Sequence, residues 1–288
     1  MLVFMFPGQG SQFPGMGKEL FDTSRMFGPL ESRIDRIAGF SVRETCLNGD
    51  EETLRRTDIT QPCLYIVNAL TCEQLLATGK RPSRFIGHSL GEYNALQAAG
   101  AFDLLTGLSM VTHRGQLMAR QREGGMAAVI GLDEATVTQC LAAIADVDIA
   151  NVNAPDQLVI SGSLQAIDAA EAEMMKAGAR AFIPLTVGAA FHSRFMRPAA
   201  AGFQEHLKTI AFRQARLPVV ANVTARAYPA TSDPGPSVRS LLVDQLSSRV
   251  LWAPGIARLK AEGAKEFIEA GPGDVLTRLV ARIPPGSD

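Results

Sequence analysis

The sequence predicts an α/β protein with a mostly parallel sheet, and three observations carry that prediction. Short apolar runs alternate with amphipathic stretches along the 288 residues. A Gly-x-Ser-x-Gly segment, Gly87-His88-Ser89-Leu90-Gly91, falls between an apolar run and a helical pattern. The middle of the chain has a strand–helix–strand–strand–helix–strand order of its own.

Composition narrows the class. With 47% hydrophobic and 20% charged residues, the chain is ordinary globular material, long enough for a sizeable core and for about two domains. Twenty-eight Lys and Arg against 29 Asp and Glu leave a net charge of −1, so no nucleic-acid partner and no acidic disordered segment is expected. No fixed-period repeat or low-complexity tract stands out. Cys46, Cys63, Cys72 and Cys140 form no Cys-x-x-Cys pair and have no histidine beside them at ligand spacing. They read as buried thiols of a cytoplasmic protein, with no metal site.

The elements follow in order. Met1–Phe6 is apolar, is stopped by Pro7 and Gly8, and lacks a basic leader. It is too short for a membrane span or a signal-peptide core, so Leu2–Phe6 reads as a buried first strand and no membrane association is expected. Helical patterns cover Thr60–Leu76, Gly91–Ala99 and Asp103–Gln121, with a strand at Arg84–Gly87. The middle reads as strand Ala127–Leu132, helix Glu134–Ala145, strands Asp148–Asn151 and Gln157–Ser161, helix Leu164–Ala177 and strand Ala181–Thr186. Glycine-containing steps, Arg122-Glu123-Gly124-Gly125 and Val187-Gly188-Ala189, lead in and out. The middle is therefore expected to be a ferredoxin-like small domain, 125–188, inserted into an α/β-hydrolase-like catalytic domain, 1–124 and 189–288. Strands Pro218–Ala221 and Glu266–Glu269 complete the larger sheet, and Tyr228–Ser237, rich in Pro, Ser and Gly, reads as a surface loop. A ligand site is expected in the cleft between the two bodies.

Ser89 is the candidate nucleophile. A sharp turn lifts it above the sheet end, and glycines on both sides let the backbone fold without a Cβ clash. The next helix points its N-terminus at Ser89, where free N–H groups favour a developing oxyanion, with the Leu90 N–H as the natural first donor. A serine also needs a base. Of the four histidines, His88 adjoins Ser89 in sequence and points away as a packing residue. His113 faces opposite the apolar stripe of its helix (Leu104, Leu108, Val111, Met118) and reads as solvated, while His206 sits mid-helix near Phe203 and Leu207 and reads as packing. His192, in Ala189-Ala190-Phe191-His192-Ser193 just after a strand at the domain crossover, is the candidate base. No acid stands out as a third triad member. Arg114 flanks the same apolar stripe and, if partly buried, needs a partner; snorkelling, an internal ion pair and a substrate carboxylate all satisfy that need.

Phe6-Pro7-Gly8-Gln9-Gly10-Ser11-Gln12, Thr60-Gln61-Pro62, Gly87-His88-Ser89-Leu90-Gly91-Glu92, Arg114-Gly115 and Phe191-His192-Ser193 occur in that order. The series resembles malonyl-CoA:acyl carrier protein transacylases and the acyltransferases of polyketide synthases, over nearly the whole chain and including the inserted ferredoxin-like domain. The resemblance implies a ping-pong transfer: Ser89 attacks the malonyl-CoA thioester, His192 takes its proton, and the malonyl-Ser89 ester passes to the phosphopantetheine thiol of an acyl carrier protein. It implies no cofactor beyond the CoA thioester substrate, and the chain is expected to be a monomer. Gln9 and Leu90 match the oxyanion-hole positions, and removing one such donor typically costs about 2.7–4 kcal/mol of barrier. Gln61 and Arg114 match the positions that hold the acyl group, with Arg114 on its carboxylate. Gln245 matches the position whose backbone carbonyl orients the histidine, which would account for the missing acid. Phe191 matches a position where, among polyketide relatives, Phe goes with malonyl and a smaller residue with methylmalonyl.

Asn94, where many fatty-acid enzymes carry alanine, and Ala190-Phe191-His192-Ser193-Arg194-Phe195-Met196 resemble the free-standing, trans-acting acyltransferases of polyketide assembly lines. A chain that starts at its first strand and lacks flanking linkers fits that branch; a domain cut from a fusion and a fatty-acid transacylase are the alternatives. Two other classes stay open from the residues: a serine hydrolase that clears acyl groups from carrier proteins, and a non-catalytic scaffold. An acidic carrier protein would have Arg194, Arg197, Arg213 and Arg216 available for docking.

Overall fold

In the computed structural model, which describes residues 1–286, β1 (Leu2–Phe6) leads into four short helices and one long one. They are α1 (Lys18–Thr23), α2 (Glu31–Ala38), α3 (Val42–Asn48), α4 (Glu51–Arg55) and α5 (Thr57–Ala77). Next come β2 (Arg84–Gly87), α6 (Gly91–Ala98) and α7 (Leu104–Ala119). The middle runs β3 (Gly125–Ile130), α8 (Glu134–Leu141), β4 (Val147–Ala154), β5 (Gln157–Gly162), α9 (Leu164–Lys176) and β6 (Ala181–Pro184). The chain returns through α10 (Arg197–Leu207), β7 (Val219–Val220), α11 (Gly235–Ser247), α12 (Trp252–Ala261), β8 (Glu266–Glu269) and α13 (Val275–Val280).

The larger sheet has the order β7-β2-β1-β8 with every pair parallel. Its central strand shows why a continuous apolar run was needed. Phe4 and Phe6 enter one core cluster and Val3 and Met5 the other, so both faces of β1 are covered by the two-residue alternation. The second sheet has the order β4-β5-β3-β6 with every pair antiparallel, as a ferredoxin-like unit requires. Val250 links the second sheet to the C-terminal part of the chain: its N–H donates to Ala150 O at 2.8 Å and its carbonyl accepts from Val152 N at 2.9 Å. No helix of the described residues is long and apolar enough to cross a membrane.

Several elements depart from expectation. α5 starts at Thr57, and Pro62 lies inside it. The helix tolerates the missing N–H because residues Cys63 to Leu70 are buried all round, so tertiary packing holds it. β4 is longer than the sequence pattern, with two register irregularities between Ile149 and Ala154. The stretch Tyr228–Ser237 is not wholly a surface loop. Tyr228 is buried, and Gly235-Pro236-Ser237 forms the first turn of α11, where proline costs nothing because that N–H has no helical partner.

Candidate active site

The turn between β2 and α6 is held by close backbone approach. A Cβ on Gly87 would lie 2.0 Å from the Gly91 carbonyl group, and one on Gly91 would lie 1.9 Å from Phe6 O, so neither position admits a side chain. Between them Ser89 adopts φ +50°, a left-handed conformation that costs a non-glycine residue free energy. Asn222, just beyond β7, pins the turn from the side: its Oδ1 accepts the Ser89 N–H at 2.7 Å and its Nδ2 donates to Gly87 O at 2.7 Å.

His192 meets this serine from the segment that leaves the small domain. Ser89 Oγ lies 2.7 Å from His192 Nε2, and His192 Nδ1 lies 2.8 Å from the backbone carbonyl of Gln245. Only the Nδ1–H tautomer can donate to a carbonyl, so Nε2 carries the lone pair that faces the serine hydroxyl. Like Ser89, His192 has a positive φ, +57°. Burial, reinforced by the nearby Arg114 guanidinium, pushes its pKa down to about 3, which keeps the ring neutral and able to accept a proton.

Arg114 is only 1% exposed. Its Nη1 donates to Gln61 Oε1 at 2.7 Å, and its Nη2 to Ser89 Oγ at 3.1 Å and Gln245 Oε1 at 3.0 Å. All three acceptors are neutral, and its Nε has no acceptor among the described residues. Only neutral oxygens bond this buried guanidinium, and the buried Glu92 carboxyl acts on it through space, so it brings to the nucleophile a positive charge with no anion bonded to it. Gln61 Nε2 in turn donates to Thr57 Oγ1 at 3.0 Å, and Thr57 Oγ1 donates to Gln9 Oε1 at 2.9 Å. One line of hydrogen bonds thus runs from Gln9 to Ser89. The Gly8-Gln9 turn sits against the nucleophile turn: a Cβ on Gly8 would lie 2.5 Å from His88 O. Among the described residues, neither the Gln9 nor the Leu90 backbone N–H donates to another protein group. A cavity of about 630 Å³ is lined by Gln9, Thr57, Met118, Gly188 and Phe191. A second, of about 600 Å³, is lined by Asp148, His192, Arg194, Arg197 and Arg249.

The structure therefore brings Gln61, Ser89, Arg114, His192 and Gln245 into one hydrogen-bonded group, with Gln9, Leu90 and Phe191 around it. The other histidines divide. His88 points away from the serine and bonds Asn153 at 2.9 Å, under Trp252. His113 is not free in solvent as expected: its ring stacks on His206 at 4.4 Å, because α10 packs over that side of α7. The four arginines divide as well: Arg194 and Arg197 line the cavity that His192 borders, and Arg213 and Arg216 do not. Arg194 is paired with Asp148 at 2.5 Å, whereas Arg213 and Arg216 run past the α6–α7 connection, bonding Ala101 O and Ala99 O through their N–H groups.

Sequence reasoning gives no role to Asn222, Glu92, Tyr228 or Thr57. Asn222 had a usable signal, since a polar residue just past the carboxyl end of a parallel strand lies where ligand sites form in open α/β sheets. Among the described residues no group of three His, Cys, Asp or Glu side chains converges as metal ligands would. The constellation can accept an acyl group on Ser89, move one proton through His192, and hold an anion on Arg114.

Comparison with known proteins follows the same line. The acyl transferase domain family matches residues 3–283. The polyketide biosynthesis malonyl CoA-acyl carrier protein transacylase PksC of Bacillus subtilis (strain 168) is 44% identical over 287 residues, covering 98% of this chain and 97% of that protein. The crystal structure of a malonyl CoA-acyl carrier protein transacylase from Burkholderia pseudomallei superposes with a TM-score of 0.91 at 43% identity, covering 98% of this chain and 97% of that one. A malonyl-transacylase solved with its type II PKS acyl-carrier protein gives a TM-score of 0.92 at 33% identity, over 98% of this chain and 92% of that one.

Proposed function

From the premise that this chain belongs to the acyl transferase domain family, we propose that it is a malonyl-CoA:acyl carrier protein S-malonyltransferase. Its reading has the chain carry malonyl from CoA to the phosphopantetheine thiol of a carrier protein. Ser89 Oγ attacks the thioester carbon as His192 Nε2 takes its proton, and the oxyanion meets the Gln9 and Leu90 N–H groups. Collapse breaks the C–S bond, and the departing CoA sulfur takes the proton from His192. The malonyl-Ser89 ester then meets the carrier-protein thiol, which gives its proton to His192 and attacks the ester carbon; the C–O bond breaks, and Ser89 Oγ takes the proton back from His192. The Gln245 carbonyl keeps His192 in the required tautomer throughout.

One observation carries the choice of acyl group: the buried Arg114 guanidinium lies 3.1 Å from Ser89 Oγ with neutral acceptors only. A malonyl carboxylate would give that cation a directly bonded anion, and the guanidinium fork binds its two oxygens together. A hydrolase of uncharged acyl chains has no use for such a cation, and a scaffold has no use for a serine bonded to a neutral histidine. The identity to PksC supports a trans-acting role in polyketide biosynthesis over a fatty-acid role, and the solved carrier-protein complex of a relative supports the partner.

The same proposal divides the chain into a catalytic domain, 1–124 and 189–288, and a small domain, 125–188, which the two separate sheets support. It takes the enzyme as a monomer, since all the groups named come from one chain. The steps are proton and acyl transfers and call for no cofactor beyond the CoA thioester. Free thiols support a cytoplasmic setting, and near-neutral charge supports the absence of a nucleic-acid partner.

Incubation with malonyl-CoA, with and without a phosphopantetheinylated carrier protein, tests the reading by intact mass. A malonyl adduct that is absent in Ser89→Ala and moves to the carrier protein is expected. Rapid CoA release without a carrier protein would instead assign hydrolysis.

A further inference from the structure

Glu92 follows the nucleophile motif on the first turn of α6, and its carboxylate is completely buried. It makes no contact with an acyl group in the mechanism above, yet three donors converge on it. Tyr228 Oη donates to Oε1, the Asn222 backbone N–H donates to Oε2 at 3.2 Å, and Gln245 Nε2 donates to Oε2 at 2.6 Å. The remaining hydrogen on Gln245 Nε2 goes to Ser89 O at 2.9 Å. Gln245 Oε1 is thereby left facing Arg114 Nη2 at 3.0 Å.

That arrangement has one permitted sense. Turning the Gln245 amide over would set its NH2 against the Arg114 guanidinium and its oxygen against the Glu92 carboxylate and the Ser89 carbonyl. Every one of those contacts would be donor on donor or acceptor on acceptor, in a buried site where unmatched polar groups are costly. Gln245 also bears the backbone carbonyl that receives His192 Nδ1. Asn222, the second residue tied to Glu92, receives the Ser89 N–H.

We propose that Glu92 is a positioning residue for acyl selection: by fixing the orientation of the Gln245 side-chain amide it sets the aim of Arg114 at the acyl carboxylate. The inference rests on the malonyl-transfer reading and adds a residue to it. Burial raises the Glu92 carboxyl to about 7, against the lowering effect of these bonds and of Arg114. Tyr228, Tyr93 and Arg114 are the titratable and charged groups that bear on it. Either protonation state keeps an acceptor toward Gln245, because a protonated Oε1 can donate to the Tyr228 hydroxyl while Oε2 stays free to accept. The action therefore belongs to hydrogen-bond geometry and not to charge.

Two variants separate those causes. Glu92→Gln removes the charge and retains the bonds: its Oε1 replaces the acceptor for Asn222 and Gln245, and its NH2 donates to Tyr228. Glu92→Asp keeps the charge and withdraws the carboxylate by about 1.5 Å, the length of one C–C bond. The readout is the ratio of kcat/KM for malonyl-CoA to that for acetyl-CoA, with circular dichroism to show that both variants are folded. Glu92→Gln is expected within about threefold of wild type in that ratio, and Glu92→Asp to lose about tenfold or more. An unchanged ratio in both, an equal loss in both, or a larger loss in Glu92→Gln would overturn the proposal. Wild-type protein that takes no malonyl group would fail the functional reading itself, an outcome distinct from any change of ratio among the variants.

Discussion

His192 Nδ1 faces the backbone carbonyl of Gln245 at 2.8 Å, where a Ser-His-acid triad would place a carboxylate. A neutral acceptor still selects the tautomer and aims the ring, but it adds no negative charge to hold a proton on the imidazole. With burial and Arg114 pushing the same way, the histidine sits at about 3 in place of its ordinary 6.5. The base therefore stays unprotonated as the solution becomes mildly acidic. The rate of Ser89 malonylation, followed by rapid quench and mass spectrometry, is expected to hold level from pH 8 down to about pH 6. An acid limb centred between pH 6 and 7 would contradict this picture of the base.

Removing the buried cation tests the clamp. Arg114→Ala should lower kcat/KM for malonyl-CoA by a factor that corresponds to about 2–5 kcal/mol, the usual cost of truncating one partner of a buried charged pair. Acetyl-CoA makes no such pair, so its turnover should fall less and the discrimination between the two donors should collapse. Competition between the two thioesters, read as the mass of the acylated protein, measures this directly. Retained discrimination would remove Arg114 from acyl recognition.

Phe191, 8% exposed and next to His192 in the chain, lines a cavity with Gln9 and Met118. On the malonyl-transfer reading, its ring would take the space that an α-methyl group needs. Phe191→Ser should raise the methylmalonyl-to-malonyl ratio by an amount that corresponds to about 1–3 kcal/mol, the range one methyl group commands. The checking measurement is the same competition with methylmalonyl-CoA as the second donor; an unchanged ratio would leave Phe191 as packing alone.

The legible parts of this site are those set by local constraint. Gly87 and Gly91 announce the turn because the chain around Ser89 admits no Cβ there, and the inserted sheet announces itself through the order of its six elements. Gln245 was reachable only through family resemblance, since a backbone carbonyl leaves no trace in residue type. Glu92 and Asn222 act through partners more than 100 residues away, and no periodicity encodes such a pairing. The first turn of α11 was hidden for another reason: Gly235-Pro236-Ser237 has the composition of a loop and the backbone angles of a helix start. His113 was misjudged because a single-helix projection cannot show that α10 covers its far side.

Glu92 and His192 make opposite contributions to stability as pH changes. The folded Glu92 carboxyl keeps its proton up to about 7, whereas an unfolded one releases it near 4.5. Its contribution is therefore full below pH 4.5 and is lost as pH rises toward 7, about 3 kcal/mol at roughly 1.36 kcal/mol per unit. The folded His192 is depressed to about 3 from an ordinary 6.5, so its contribution is present above pH 6.5 and is lost as pH falls toward 3. Between pH 4.5 and 6.5 the two slopes oppose each other, and for these two groups the wild-type stability is nearly level. Glu92→Gln removes one slope, so its stability should climb with pH across that window and exceed wild type by about 3 kcal/mol above pH 7. His192→Asn removes the other, and its stability should decline with rising pH over the same range. Urea unfolding of the three proteins at half-unit pH steps measures both slopes. Parallel curves for wild type and Glu92→Gln would show that the buried carboxyl releases its proton at an ordinary pH, and the opposition between the two groups would not exist.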